Sequence, residues 1–446
     1  MNTQSKYLHF VAYKDIPNWS VGYISGHTIG FTQKYPMVKI GKFLHRNKTS
    51  VDIQDDVLYK RVTIKTLGGG ICLRDTEKGT NIGTKKQFLI SKGQFLVSKI
   101  DARNGAFGVV PDEVDGAIIT GNFWTYDVDE SLINPYFLAY LTSTKTFARF
   151  SETASVGTTN RRYLQEDLFL QQQIPLPSLA EQQALVDAYN HNLQQANDLE
   201  QQAENGEKEI ENIIMQRLGI TIPKIETSKK GLSFVSYKEV QDRWDLYNAQ
   251  TSIFAALAKA TYKAQQIGSI YNFITRGWKK TEDKFRYIEL GSVDAADGIM
   301  SASELLVKDA PSRATQKVSE GDLILGTTRP YLKKFAIVPQ EFTDCVCSSG
   351  FQVIANNSTN NLQFLYEYLK TPAAIAQYEY FMTGALYPAI TNTDLKKVEI
   401  PLPPLDVQAE IVAVVQEQRT KIVHYKSLAT TLRQEAITQF EHAIFE

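Results

Sequence analysis

Ile174-Pro175-Leu176-Pro177-Ser178-Leu179-Ala180-Glu181-Gln182 returns as Ile400-Pro401-Leu402-Pro403-Pro404-Leu405-Asp406-Val407-Gln408, 226 residues further along a chain of 446. In both places the prolines forbid helix until they end, and a long pattern of apolar residues at alternating three- and four-residue spacing begins where they stop. The segment therefore reads, twice, as an extended entry to a long helix. In the first copy Ser178 and Glu181 have the spacing of a capping box, which satisfies the first orphan amides of a helix.

Outward from these segments the repetition continues at a period of about 225 residues, and a period of that kind has to be settled before any element is assigned. Phe10-Val11-Ala12-Tyr13-Lys14-Asp15-Ile16 matches Phe234-Val235-Ser236-Tyr237-Lys238-Glu239-Val240, and Ile40-Gly41 matches Ile267-Gly268. Gly93-Gln94-Phe95-Leu96 matches Gly321-Asp322-Leu323-Ile324, and Val110-Pro111 matches Val338-Pro339. Landmarks in one order define a duplication.

Each copy opens with short alternating strand candidates, as at Tyr59 to Ile64, Gln87 to Ser91 and Phe95 to Ile100, and goes on to one short helical pattern, Pro135 to Arg149 or Gln363 to Tyr380. The long helix comes last. The predicted stripe of the first runs from Leu185 through Tyr189, Ala196, Leu199, Ala203, Ile210 and Ile213 until Gly219 and Pro223 stop it; the second runs through Ile411, Val415, Ile422, Tyr425, Leu432 and Ala436. Neither helix buries its stripe alone, so the economical solution is that the two pack on each other, antiparallel if the copies are related by a pseudo-twofold axis; the rival is that each docks on another subunit. The fold class expected is α+β: two similar mixed α/β modules separated by two long antiparallel coiled-coil helices. The domain reading is residues 1–177 and 221–403 for the modules, and 178–220 and 404–446 for the helices. A helix of roughly 36 residues is about 54 Å long, so paired helices make a rigid spacer. Two heads on a rigid spacer select a split ligand.

Composition is ordinary for globular domains, 43% hydrophobic and 22% charged, with a formal net charge of −1. Apolar runs such as Phe88 to Val97 break well before the roughly 20 residues of a membrane span, and Met1 to Phe10 lacks the pattern of a secretory signal, so the expectation is a cytoplasmic protein. Cys345 and Cys347 lie two apart in a strand-like run and read as buried core residues facing one side. The near-neutral total hides a division of labour. Pro36 to Val110 carries 14 Lys and Arg against 6 Asp and Glu, whereas Ser178 to Arg217 carries 2 against 8. A basic module with polar residues is what phosphate contacts require.

Base reading needs forked donors or amides presented from loops. Two matched loops supply them: Ser98-Lys99-Ile100-Asp101-Ala102-Arg103-Asn104-Gly105 after Gly93, and Thr327-Thr328-Arg329-Pro330-Tyr331-Leu332-Lys333-Lys334 after Gly321. The candidate DNA-contacting residues are Ser98, Lys99, Arg103 and Asn104 in the first loop, and Thr327, Thr328, Arg329, Tyr331, Lys333 and Lys334 in the second. The doublets Lys85-Lys86 and Arg161-Arg162 complete the set. One scaffold with two loop chemistries is expected to read two different half-sites.

No catalytic residue and no metal ligand is expected. Asn134-Pro135-Tyr136 is one proline short of the adenine-methyltransferase loop and reads as helix initiation with Pro near N1. Gly68-Gly69-Gly70 fits neither a dinucleotide fingerprint nor a phosphate-binding P-loop and reads as a turn. Asp55-Asp56 is an isolated acidic pair.

The run Ser98 to Ala106, the segment Ile174 to Gln182 and its echo Ile400 to Gln408 resemble the specificity (S) subunits of type I restriction-modification systems, and the resemblance spans nearly the whole chain with its duplication. It implies that each module is a target-recognition domain for half of a bipartite, asymmetric DNA site and that the long helices pair as the spacer. It also implies modification subunits, two of them, that bind S-adenosylmethionine and methylate adenine, and restriction subunits that use ATP and Mg to translocate and cleave. No cofactor is expected on this chain. Within the resemblance Asp101 could serve as scaffold, holding Arg103. The alternatives are a non-enzymatic coiled-coil adaptor that binds proteins, an enzyme with an unfamiliar site, and the recognition subunit of a related restriction system with fewer parts.

Overall fold

The computed structural model describes residues 31, 34–66, 68–158, 161–222, 253–356, 360–384 and 386–446, with residues 157, 158 and 161 as backbone only. The repeat landmarks Phe10–Ile16 and Phe234–Val240, Pro223 and the side chain of Arg161 lie outside the described residues. The chain divides into two compact units, residues 1–199 with 427–446, and residues 200–426. Each long helix therefore gives one half to each unit.

In both units the proline segment pairs as a short antiparallel strand, Gln173–Pro175 with Met37–Lys39 and Glu399–Pro401 with Ala264–Gln266. The Ile-Gly landmark follows the partner strand at once. Ile40 N–H donates to Gln172 O at 2.9 Å and Ile267 N–H to Val398 O at 2.8 Å. This approach leaves no room for a side chain at the next position, because a Cβ on Gly268 would lie 2.9 Å from Lys396 O, and one on Gly41 3.1 Å from Leu170 O.

Among the described residues each module holds two larger sheets, one of matching strand order and one with five strands in the first copy and four in the second. The first sheet is Leu44–Asn47, Phe123–Val128, Phe95–Ser98, Phe107–Val109 in the first copy, and Phe273–Ile274, Phe351–Ile354, Leu323–Gly326, Phe335–Ile337 in the second. In the other sheet Ile118–Ile119 runs parallel to Leu58–Ile64, as Val346–Ser348 does to Lys284–Ile288. The first copy draws out Leu58–Ile64 and Ile71–Lys78 into one long hairpin, turned at Gly68 and Gly70, whose positive φ of 77° and 75° explains the glycines of that turn. The second copy inserts a small extra hairpin, Val293–Asp294 with Gly298–Ile299, in the same connection. Cys345 and Cys347 are buried in one apolar cluster, where burial pushes the Cys347 thiol up to about 12.

The single helix expected after the sheets is two helices in each copy, Pro135–Ser143 with Lys145–Thr153, and Leu362–Tyr368 with Pro372–Phe381. The break falls at Thr144 and at Thr371, both with extended ψ of 150° and 157°. The Thr144 and Thr371 hydroxyls donate back to Leu141 O and Tyr368 O at 2.8 and 2.7 Å. Apolar periodicity runs through the break, so it hides the cap.

Asn134 is an N-cap, accepting from the Tyr136 and Phe137 amides with Pro135 at N1, and Asn361 does the same for Phe364. These caps are locked to the long helices by a glutamine. Gln182, fully buried, accepts Asn134 N–H at 2.7 Å and donates to Pro177 O at 2.9 Å; Gln408 accepts Asn361 N–H at 3.0 Å and donates to Pro403 O at 2.8 Å. The last residue of the quoted segment is thus the bolt between helix start and module.

The long helices run Leu179–Leu218 and Leu405–Phe445. Glu181 takes the Ser178 amide at 3.0 Å and Ser178 Oγ takes the Glu181 amide at 3.3 Å, closing the capping box. The first helix ends in a Schellman motif: Gly219, at φ 68°, donates to Gln216 O, and Ile220 donates to Met215 O. The helices pack antiparallel on each other. In the first unit Arg433 donates to Asn197 at 2.7 Å, and in the second Arg217 meets Glu410 at 3.0 Å. Half of the expected stripe is correctly phased, with Ala196, Ala203 and Ile210 buried; the other half is shifted by one, to Val186 and Ile214 in place of Leu185 and Ile213. The shifted row passes through Glu207, which meets Arg419 at 3.5 Å, and a charged residue in a seam carries no apolar signal. At Gly206 a Cβ would meet Ile422 Cγ1 at 2.8 Å, so this glycine sets the close approach of the pair.

Candidate nucleic-acid interface

Three segments meet at one place in each module. After the first module's central strand, Lys99 N–H donates to Asn122 O and Lys99 O accepts from Leu164 N–H, both at 2.9 Å. After the equivalent strand of the second, Thr327 N–H donates to Gly350 O and Thr327 O accepts from Ile390 N–H, again at 2.9 Å. The loop then makes a 3₁₀ turn, Ala102–Asn104 or Pro330–Leu332, and a left-handed residue, Gly105 or Lys333, returns it to the sheet. These bonds fix a residue-level register in which Lys99 corresponds to Thr327, Asp101 to Arg329, Arg103 to Tyr331 and Asn104 to Leu332. The loop side chains that looked matched in type are not superposed: Arg329 stands where the first copy has Asp101.

In the first module Ser98 is buried, and its hydroxyl donates to Asp101 at 3.2 Å; it is a loop anchor, not a surface reader. Asp101 is held by that bond. Lys99 is half-buried with its ammonium 5.4 Å from the Trp124 ring centre, and burial, with the Arg46 charge nearby, holds its pKa below the usual lysine value. The Arg46 guanidinium lies over Tyr126 at 5.3 Å and reaches Glu166 at 3.0 Å. Two cations therefore gather over an aromatic floor, and one of them, Arg46, is paired with a carboxylate. Arg103 is half-buried and Asn104 exposed. Arg162, on the Arg161–Leu164 strand that brings Leu164 to Lys99, lies 3.9 Å from Glu152.

In the second module most of the predicted donors turn inward. Lys333 meets Glu211 at 2.5 Å, Lys334 donates to Val293 O at 2.6 Å, and the Thr327 hydroxyl donates to Gly350 O at 3.0 Å. Thr328 bridges to Ala389, and Arg329 donates to Leu386 O at 3.0 Å beneath the Tyr387 ring. Tyr331 and Leu332 point outward. Sequence reasoning singled out no residue from 383 to 390, although the register with 155–164 brings that loop to the same junction.

Lys85 is tied to Asp55 at 2.5 Å, which also gives the isolated acidic pair a partner, while Lys86 is exposed on the Lys86–Leu89 strand. Arg61 is gripped by Asp75 at 2.6 and 2.9 Å, and this hydrogen bonding raises Arg61 and lowers the Asp75 carboxyl. The excess of basic residues in the first module thus overstates its open charge. Among the described residues no group of three or more His, Cys, Asp and Glu is gathered as a metal site, and no helix is long and apolar enough to cross a membrane.

The family described as type I restriction modification DNA specificity domain matches residues 24–212 and 260–424, one match per copy. The specificity subunit of the type I restriction enzyme EcoDI from Escherichia coli is 27% identical over 125 residues, 28% of this chain and 27% of that protein, so the match spans about a quarter of that relative's length. A chain solved in a study of complex assembly and conformational transition of the type I R-M system shares the fold, with TM-score 0.54, 16% identity and coverage of 93% of this chain and 98% of that one. The HsdS subunit of Thermoanaerobacter tengcongensis is also similar, with TM-score 0.42, 15% identity and coverage of 93% and 97%. With a family match over most of both copies, each ending in a helix bolted to its module by a buried glutamine, this chain belongs to the family of type I restriction-modification specificity subunits.

Proposed function

We propose that this chain reads a bipartite, asymmetric DNA site, one half-site per module, and directs partner modification and restriction subunits to it in the cytoplasm. The observation that carries the reading is the junction of three loops, built twice with the same backbone bonds and different side chains. A duplicated frame with divergent tips is suited to two different half-sites at one spacing. The chemistry of methylation and cleavage, with S-adenosylmethionine, ATP and Mg, belongs in this reading to the partners, and the chain itself catalyses nothing.

Enrichment of DNA from a random pool by the chain copurified with its partners, at two salt concentrations, tests the proposal. A split motif with a fixed gap is expected, with affinity falling steeply as salt rises. A folded complex that enriches nothing would leave a protein-binding adaptor as the better reading. Adding one heptad to each long helix, beside Gly206 and beside Ile422, is expected to lengthen the gap and leave both half-sites unchanged; an unaltered gap would show that the helices are not the ruler.

A further inference from the structure

The loop from Thr383 to Ile390 is the part of the second module's junction that the sequence reading passed over. Thr383 and Ala389 exchange backbone hydrogen bonds at 3.0 and 2.9 Å, and Ile390 N–H is fixed to Thr327 O, so the loop is closed at its base. Its tip carries Leu386, 81% exposed, and Tyr387, 71% exposed. These are the two most exposed large apolar side chains among the described residues, on a surface where single, less exposed ones are ordinary.

Arg329 holds that tip. Its amide donates to Pro388 O at 2.7 Å, its Nη2 to Leu386 O at 3.0 Å, and its guanidinium lies 4.9 Å from the Tyr387 ring centre. Arg329 itself sits in the left-handed region at φ 49°, a conformation a non-glycine residue adopts under constraint. Its guanidinium is thus turned to the tip, with Nη2 bonded to Leu386 O and the buried Nε left without a protein partner, while Lys333 and Lys334 are bonded internally. What this head offers outward is apolar. In the major groove the apolar feature of a base edge is the thymine C5-methyl group.

We infer that Leu386 and Tyr387 are specificity-determining contacts of the second module, packing against thymine methyl groups of its half-site, and that Arg329 is a positioning residue acting through them. The inference rests on the DNA-reading function proposed above. Its occupant is duplex DNA because the tip is hydrogen-bonded into the same junction that in the first module carries Lys99 and the Arg161–Leu164 strand.

The test uses the full chain with its copurified modification partners, in wild-type form and as Leu386→Ala, Tyr387→Ala, Arg329→Ala and Arg329→Ala/Tyr387→Ala. Selection from a random pool is expected to relax one half-site only in all variants, the other half-site serving as the control for folding. The relaxed half-site is expected to contain thymine. Replacing its thymines by deoxyuridine is expected to weaken wild-type binding about three- to tenfold and to weaken Leu386→Ala binding by less, since only the Tyr387 contact remains there. Because Arg329 acts through the tip, the double variant is expected to lose less than the sum of the losses of Arg329→Ala and Tyr387→Ala. A half-site without thymine, indifference to deoxyuridine, or additive loss in the double variant would each overturn the inference while the split motif stands. Wild-type protein that selects no motif would instead overturn the DNA-reading proposal, and this inference with it.

Discussion

Where module meets helix pair, the two units use one backbone device and opposite chemistry. In the first, Tyr140 stacks on Tyr189 at 4.2 Å and Phe440 closes against Tyr140 and Phe137 at 6.1 and 5.7 Å. In the second, the residue at the place of Tyr140 is Glu367, fully buried and gripped by both nitrogens of the Arg419 fork at 3.0 and 2.6 Å. Beside it Lys370 is buried, donating to Ala295 O at 2.6 Å and to Tyr366 at 2.5 Å. The aromatic joint borders an open pocket of about 90 Å³ and the ionic one an open pocket of about 210 Å³. The duplication kept the caps and the glutamine bolts, which satisfy backbone groups that any sequence must satisfy. It let the side chains between them diverge, because packing and ion pairing are interchangeable ways to fill the same joint.

The sharpest way to break the comparison is to remove one partner from each joint. Glu367→Gln leaves Arg419 with only the longer Glu207 contact and is expected to cost about 3 kcal/mol of the second unit's stability, read as lost hydrogen-exchange protection in residues 200–218 and 405–426. Replacing the pair together, Glu367→Leu with Arg419→Met, is expected to restore most of it. Phe440→Ala in the first unit is expected to cost about 3 kcal/mol, and its effect should not vary with salt. If both joints respond alike to salt and to paired replacement, their chemical difference has no energetic meaning.

The reading heads differ in the same manner, one keeping a cation over an aromatic floor and the other an apolar tip. Lys99→Ala is expected to weaken binding nearly uniformly across variants of the DNA site and to lower the slope of log affinity against log salt by about 1. Arg329→Ala is expected to leave that slope unchanged. Affinities measured between low and moderate salt decide it.

The smallest expected effect is on pH. Burial lowers Lys370 from 10.5 to about 8, so above pH 8 the unfolded chain holds a proton that the folded chain has released. The second unit is therefore expected to gain stability as pH rises from about 8 to about 10. Beyond that the buried tyrosines reverse the trend, since burial raises Tyr366 and Tyr368 above their ordinary value of 10.0 and ionisation then favours the unfolded chain. Lys370→Met is expected to abolish the gain, as denaturation at pH 8 and at pH 9.5 would show.

By itself the sequence determined what is local or repeated: two copies, proline-led helix starts, the Ser178 capping box, the helix initiation at Asn134-Pro135, and a Gly219 helix stop. These are legible because a cap or a proline acts within a few residues of itself. The apolar stripe was half legible, since Glu207 lies in the seam and only its partner Arg419, more than 200 residues away, makes it a seam residue. Tertiary structure alone decided the loops. That Lys333 reaches Glu211, that Arg329 aligns with Asp101, and that Leu386 stands at a held tip all depend on hydrogen bonds between segments distant in sequence. A charged or apolar residue in a loop has no periodicity to declare its direction, so which side chains face a ligand is settled only when the neighbouring chain closes over the others.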